Sequence, residues 1–86
     1  NAIGCRVEVE KMIATGRIDM VVETSTFIYV LELKLSNNGG VDAAAEQIKA
    51  KQYAEPFKAD KRKIIALAVE LDDLGKGLLG WKEVAE

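Results

Sequence analysis

The chain has 86 residues, 49% of them hydrophobic and 30% charged, with a net charge of −2. That is the composition of one small globular domain, able to bury about 60–65% of the surface its unfolded chain exposes. It contains no histidine and a single cysteine, Cys5, which excludes Ser-His and Cys-His nucleophilic chemistry, His-ligated zinc, multi-cysteine metal sites and an internal disulfide. Any chemistry must run on carboxylates, lysines and a hard metal ion.

No apolar run is long enough to cross a bilayer and no signal-peptide pattern opens the chain, so a cytoplasmic setting without membrane contact is expected. The overall charge lacks the basic signature of a nucleic-acid binder. Lys49, Lys51, Lys58, Lys61, Arg62 and Lys63 do crowd the second half, where the simpler reading is a solvating surface. The chain opens at Asn1 and reaches strand-like sequence within a few residues. Residues 1–86 are therefore expected to be a single domain cut from a longer polypeptide.

In chain order, Cys5 to Lys11 alternates as a strand, with Cys5, Val7 and Val9 on one side and Arg6, Glu8 and Glu10 on the other. Met12 and Ile13 extend it to a bend near residues 14–16. Gly16 to Val22 is a second strand interrupted by one acid, Asp19. Glu23-Thr24-Ser25-Thr26 suits a tight turn with Thr24 and Ser25 at its tip. Phe27 to Leu35 reads as a strand covered on both faces, being aromatic, β-branched and aliphatic, yet Glu32 and Lys34 interrupt it. Alternation puts Ile28, Val30, Glu32 and Lys34 on one side. A Glu-x-Lys pair on a strand ordinarily marks a solvated edge. Inside an apolar face, an unpaired charge costs several kcal/mol, comparable to the whole stability of a small domain. Such residues persist when paired, metal-bound or opening onto a cleft.

The hairpin supplies a partner. With Thr24 and Ser25 at the tip, Val22 faces Phe27, Val21 faces Ile28 and Asp19 faces Val30. Asp19 then shares the face of Glu32 and Lys34 as a diagonal neighbour of Glu32, roughly 7 Å away at Cα. A divalent ion about 2.0–2.5 Å from each carboxylate fits that gap. A one-residue slip would send Asp19 to the opposite face.

Ser36 to Gly40 is a loop. Asp42 is the expected N-cap of a helix running to about Phe57 and ended by Pro56. Its apolar arc comprises Ala43, Ala44, Ile48, Ala50, Tyr53, Ala54 and Phe57. Gln47 and Lys51 fall inside the arc: Gln47 either satisfies a buried backbone group or points to the sheet end bearing Glu32 and Lys34, whereas Lys51 is expected to snorkel outward. Arg62 to Glu70 is another interior strand, Asp72 to Gly80 a loop, and Trp81 to Val84 a short edge strand. The link from Leu35 through the helix to Ile64 has crossover length, making those strands parallel and the connection right-handed.

Asp19, followed after an interval by Glu32-Leu33-Lys34, resembles the D-x(n)-(D/E)-x-K signature of the PD-(D/E)XK, or restriction-endonuclease-like, nuclease superfamily. The wider pattern of Gly16 to Glu23, Tyr29 to Leu35, Gln47-Ile48, Lys51 to Phe57 and Gly80-Trp81 looks like the branch found at the C-terminus of predicted bacterial AAA-type ATPases. The resemblance implies an α/β fold: a mixed sheet of four to five strands in β-β-β-α-β-β order with one crossover helix. The helix that ordinarily opens the core is missing, and Glu8 or Glu10 is the candidate substitute for an acid it often carries. The proline that family members place before the first acid is replaced by Ile18.

Carried over residue by residue, the resemblance implies that Asp19 and Glu32 bind Mg²⁺ or Mn²⁺, with the Leu33 carbonyl as a further ligand. Lys34 would orient or deprotonate the attacking water and offset charge on the phosphate, the electrostatic role being read ahead of the basic one. Gln47 matches a polar helix residue directed toward the site. The implied activity is metal-dependent hydrolysis of phosphodiester bonds in nucleic acid, with DNA the expected substrate. The alternative is a non-catalytic nucleic-acid-binding or interaction module of an AAA-type ATPase. A missing helix would leave one sheet face bare, so association with a second copy or with the parent polypeptide is expected.

Overall fold

The computed structural model describes residues 5–13 and 16–85. Its elements are β1 (Arg6–Ile13), β2 (Gly16–Glu23), β3 (Phe27–Leu35), α1 (Gly40–Lys51), β4 (Lys63–Leu71) and β5 (Leu78–Val84), with single 3₁₀ turns at Ser36–Asn38 and Glu55–Phe57. The five strands form one sheet in the order β1-β2-β3-β4-β5. β3 and β4 run parallel through the α1 crossover, and the other neighbours are antiparallel. This is the expected mixed α/β sheet and element order.

The helix covers one face. Ile28 and Val30 of β3, Val21 of β2 and Ala66 and Ala68 of β4 are buried against Ala44, Ala45 and Ile48 of α1. The small alanines of β4 let the helix approach closely, and the larger β3 side chains fill the space between. Among the described residues the opposite face has no such cover. Tyr29 lies beside Ile65, Leu31 beside Leu67 and Leu33 beside Val69, all only part-buried. At its margins Val7, Val9 and Trp81 are 57%, 61% and 63% exposed. Among the described residues no helix precedes β1 or lies on this side.

Three sequence expectations are corrected. The hairpin pairs Val22 with Tyr29 and Val21 with Val30, so its register is displaced by two residues and the turn spans Thr24–Phe27. The Thr24 hydroxyl sets this wider turn by accepting from the Phe27 N–H at 2.9 Å and the Thr26 N–H at 3.3 Å. Arg62 then locks it, donating to the Thr24 carbonyl, Glu23 and Asp60. This guanidinium holds the Asp60 carboxyl down at about 2.

The helix neither starts at an Asp42 cap nor reaches Phe57. Gly39 precedes it in the left-handed region (φ 96°), and the orphan N–H of Val41 is taken by Glu70 of β4 at 3.0 Å. At the other end Gln52 turns left-handed (φ 51°), its N–H closing on the Ile48 and Lys49 carbonyls. Pro56 instead stiffens the following 3₁₀ turn, and Ala50 is exposed rather than part of the apolar arc. Finally, β5 is longer than expected, beginning at Leu78 before a bulge opposite Glu70 and Leu71.

Gly40 has φ +59°, and a Cβ there would collide with the Glu70 carboxylate that caps the helix. Gly40→Ala should therefore destabilise the fold by about 1–3 kcal/mol in urea melts, combining left-handed strain with lost capping. Gly80→Ala is the matched control, since a Cβ there meets nothing within 4 Å; equal effects of the two substitutions would contradict this account.

Candidate functional site

The site forms where β2 and β3 part. Their ladder ends at Met20–Leu31. Asp19 has no ladder partner on β1 either, because the facing residue, Glu10, has φ +54° and forms no pair. The local wrench also breaks two-residue alternation: Ile18 and Val21, three apart, are both fully buried. Beyond the last pair, the Leu33 N–H lacks a backbone acceptor on β2 and is satisfied by Asp19 Oδ2 at 2.9 Å. The two-residue register shift preserves side-chain faces along the paired stretch, and Asp19, just beyond its last pair, still meets Glu32.

Glu32 is 2% exposed, alone among buried charged residues in the described chain. Its Oε1 accepts from the Tyr53 hydroxyl at 2.7 Å, and its Oε2 lies 3.8 Å from Lys34 Nζ. Tyr53 is fully buried. Its hydroxyl accepts from Gln47 Nε2 at 3.0 Å and has a second acceptor in range, the Arg17 carbonyl at 2.9 Å. One hydroxyl proton cannot serve both acceptors. An ionised Glu32 claims it through the stronger charge-assisted bond, leaving the Arg17 carbonyl as the alternative when Glu32 is protonated.

Burial pushes the Glu32 carboxyl above its ordinary value; the Tyr53 bond opposes this, neighbouring Asp19 adds to it, and Lys34 opposes it. Burial, followed by the Glu32 contact, likewise raises the Tyr53 hydroxyl. No buried side-chain polar atom among the described residues lacks a partner.

Asp19, Glu32, Leu33, Lys34 and Gln47 all line one solvent-open cleft of about 580 Å³, with Arg17 and Lys51 on its rim. The sequence-expected residues thus converge. Glu8 and Glu10 do not line this cleft: Glu8 is engaged by Arg6 and Lys11, and Glu10 by Arg17. Lys51, expected to snorkel outward, is exposed, and its stem lies along Gly16 at this cleft. Tyr53 was read only as part of an apolar arc. The available signal was a phenol at a buried position, which must find a hydrogen-bond partner.

The donor chemistry fits a hard cation. Asp19 and Glu32 each tether one carboxylate oxygen to a protein donor, and Asp19 contributes to the raised Glu32 pKa both by charge and by hydrogen bonding. Two like charges in one site are relieved by a divalent ion. No group of three or more His, Cys, Asp or Glu side chains suited to a metal occurs among the described residues. Two carboxylates, a backbone carbonyl and waters are nevertheless a sufficient shell for Mg²⁺, which retains water readily.

Residues 2–76 match the family model of the PD-(D/E)XK nuclease superfamily. An "Uncharacterized protein in vnfD 5'region" of Azotobacter chroococcum mcd 1 is 31% identical over 80 residues, covering 93% of this chain and 16% of that protein. The chain thus spans under a fifth of that relative's length. No solved structure matches. Among the described residues no helix is long and apolar enough to cross a membrane.

The raised Glu32 pKa has a signed consequence. Glu32 binds its proton more tightly in the folded than in the unfolded chain, so its contribution to stability is greatest below its ordinary 4.5 and is lost as pH rises through the folded value. The metal-free melting temperature should carry this downward component above pH 4.5, and Glu32→Gln should remove it. Tyr53→Phe should move the window to higher pH by deleting the bond that stabilises the carboxylate. A Glu32 titration by carboxyl NMR at or below its ordinary value would contradict the assignment.

Proposed function

Because the chain belongs to the PD-(D/E)XK nuclease superfamily, we propose that it is a metal-dependent nuclease domain that hydrolyses phosphodiester bonds in DNA. The observation carrying this reading is the meeting of Asp19 and Glu32 in one cleft with Lys34 beside them. Asp19 and Glu32 hold Mg²⁺ or Mn²⁺, with the Leu33 carbonyl as the backbone ligand. A bound cation of this kind supplies Lewis acidity toward the phosphodiester and lowers the barrier to forming its anionic transition state.

The chain's own residues do the rest. Lys34 reaches the cleft from the strand that carries Glu32 and donates to a phosphate oxygen or holds the attacking water. Its ammonium offsets the charge that accumulates on phosphorus-bound oxygens. Tyr53 holds one Glu32 oxygen in place, and Gln47 orients the Tyr53 hydroxyl. Gln47 is therefore a positioning residue that acts through Tyr53 and Glu32. The Leu33 N–H does the same for Asp19.

Residues 1–86 form one domain of a longer protein in this reading, with an AAA-type ATPase as the expected companion and a cytoplasmic setting. The bare face of the sheet is its association surface, covered by the rest of the parent polypeptide or, in the isolated chain, by a second copy. Contiguous exposed apolar surface of this kind is characteristic of interfaces.

Calorimetric titration should show Mg²⁺ or Mn²⁺ binding that weakens at least about tenfold in Asp19→Ala or Glu32→Ala, since each removes a charged ligand. In the full-length parent, Lys34→Met should abolish DNA cleavage while retaining metal binding. Metal binding without cleavage by the wild-type parent would favour the accessory-module alternative. Separately, light scattering of the isolated chain should give a dimer, and Trp81→Glu should return it to monomer; a clean wild-type monomer at high concentration would contradict the association surface.

A further inference from the structure

We infer that Lys51 is a substrate-binding residue of this cleft, holding a phosphate of the DNA backbone adjacent to the one attacked. The inference rests on the nuclease reading for its ligand but on separate residues for its geometry. Lys51 follows Gln47 by one helical turn, about 6 Å along the axis on the same stripe. Its stem, although exposed, runs beside Gly16. A Cβ placed on Gly16 would lie 3.5 Å from Lys51 Cδ, 3.7 Å from Cε and 4.0 Å from Nζ. The side chain therefore leaves the end of α1 and reaches the first residue of β2, along the mouth that Asp19 and Glu32 share.

A lysine in the last turn of a helix has an ordinary explanation in the helix dipole. That explanation applies equally to Lys49, which is also in the last turn but does not line this cleft. The dipole accounts for two lysines near the helix end; it does not account for one of them turning into the site. Gly16 has a φ of +153°, which suits glycine, and the Lys51 stem passes it at ordinary van der Waals distance.

The charge distribution identifies the ligand class. The whole chain is acidic, at −2, which disfavours general attraction to a polyanion. The cleft reverses this, since Arg17, Lys34 and Lys51 line it against Asp19 and Glu32. Arg17 is engaged by Glu10 at 3.3 Å, Lys34 lies near Glu32 at 3.8 Å, and Lys51 is not free either. Lys51 extends the positive side of the site by one turn beyond the reacting centre. An ammonium on a flexible stem suits a phosphate oxygen as a point-charge donor. It carries no base-reading geometry, so the contact is independent of sequence.

The test measures binding of a fluorescently labelled single-stranded DNA to the full-length protein by anisotropy across a salt series, with Ca²⁺ replacing Mg²⁺ to limit strand turnover. Lys51→Met keeps the stem and removes the charge; Lys51→Arg keeps the charge. Lys51→Met should weaken binding about tenfold and make the slope of log K against log salt shallower by about 0.7, the value for one phosphate contact on a single strand. Lys51→Arg should stay near wild type, and Mg²⁺ affinity should be unchanged in both variants. Equal affinity and slope for Lys51→Met and wild type would overturn the inference. So would wild-type protein that takes up Mg²⁺ but binds no DNA, which would leave the metal site standing. Loss of DNA binding in Lys51→Met from a protein that takes up no metal would support the Lys51 contact while removing the metal-dependent reading.

Discussion

A carboxylate buried to 2% exposure in the middle of a sheet is the constraint around which the rest of this small domain is arranged. Glu32 would be costly alone. Tyr53 holds one oxygen, Lys34 lies near the other, and Asp19 meets it across the gap where β2 and β3 separate. The end of α1 is tied to the same residue, Glu32. Had the helix continued past Lys51, Tyr53 would have stayed on the helical surface. The left-handed Gln52 turns the chain so that the tyrosine enters the core and reaches both Glu32 and the Arg17 carbonyl. Helix termination and site geometry are thus one event.

The two acids are held in a comparable way. Asp19 uses one oxygen to replace a missing ladder bond to Leu33, and Glu32 uses one oxygen to receive Tyr53. Fixing one oxygen orients each carboxylate without consuming all of its ligand capacity, which is how supporting hydrogen bonds prepare a metal site. The arrangement carries a cost in the metal-free protein, because two like charges are brought together at a desolvated position. In the proposed reading, stability lost there is the counterpart of affinity for a cation.

Much of this could be read from residue order, for identifiable reasons. The face shared by Asp19, Glu32 and Lys34 depended only on strand parity, so it survived a hairpin register displaced by two residues. The mixed sheet followed from strand composition and from the crossover length between Leu35 and Ile64. Helix boundaries were less legible because their determinants are remote. The N-terminal cap comes from Glu70 on a later strand, and the C-terminal turn belongs to Gln52, a residue without strong left-handed preference. Pro56 offered a conspicuous but incorrect stop signal. Tyr53 was hidden by its own hydrophobicity, and Lys51 by the general habit of lysines to seek solvent. Both carry a polar group at the tip of a mostly apolar side chain.

The central claim is that Asp19 and Glu32 form one cation site, and anomalous diffraction from crystals grown with Mn²⁺ tests it most directly. The account predicts a single strong anomalous peak bonded to both carboxylates and flanked by Lys34. An ordered site with Asp19 and Glu32 bonded only to protein groups, and manganese absent or bound elsewhere, would contradict it.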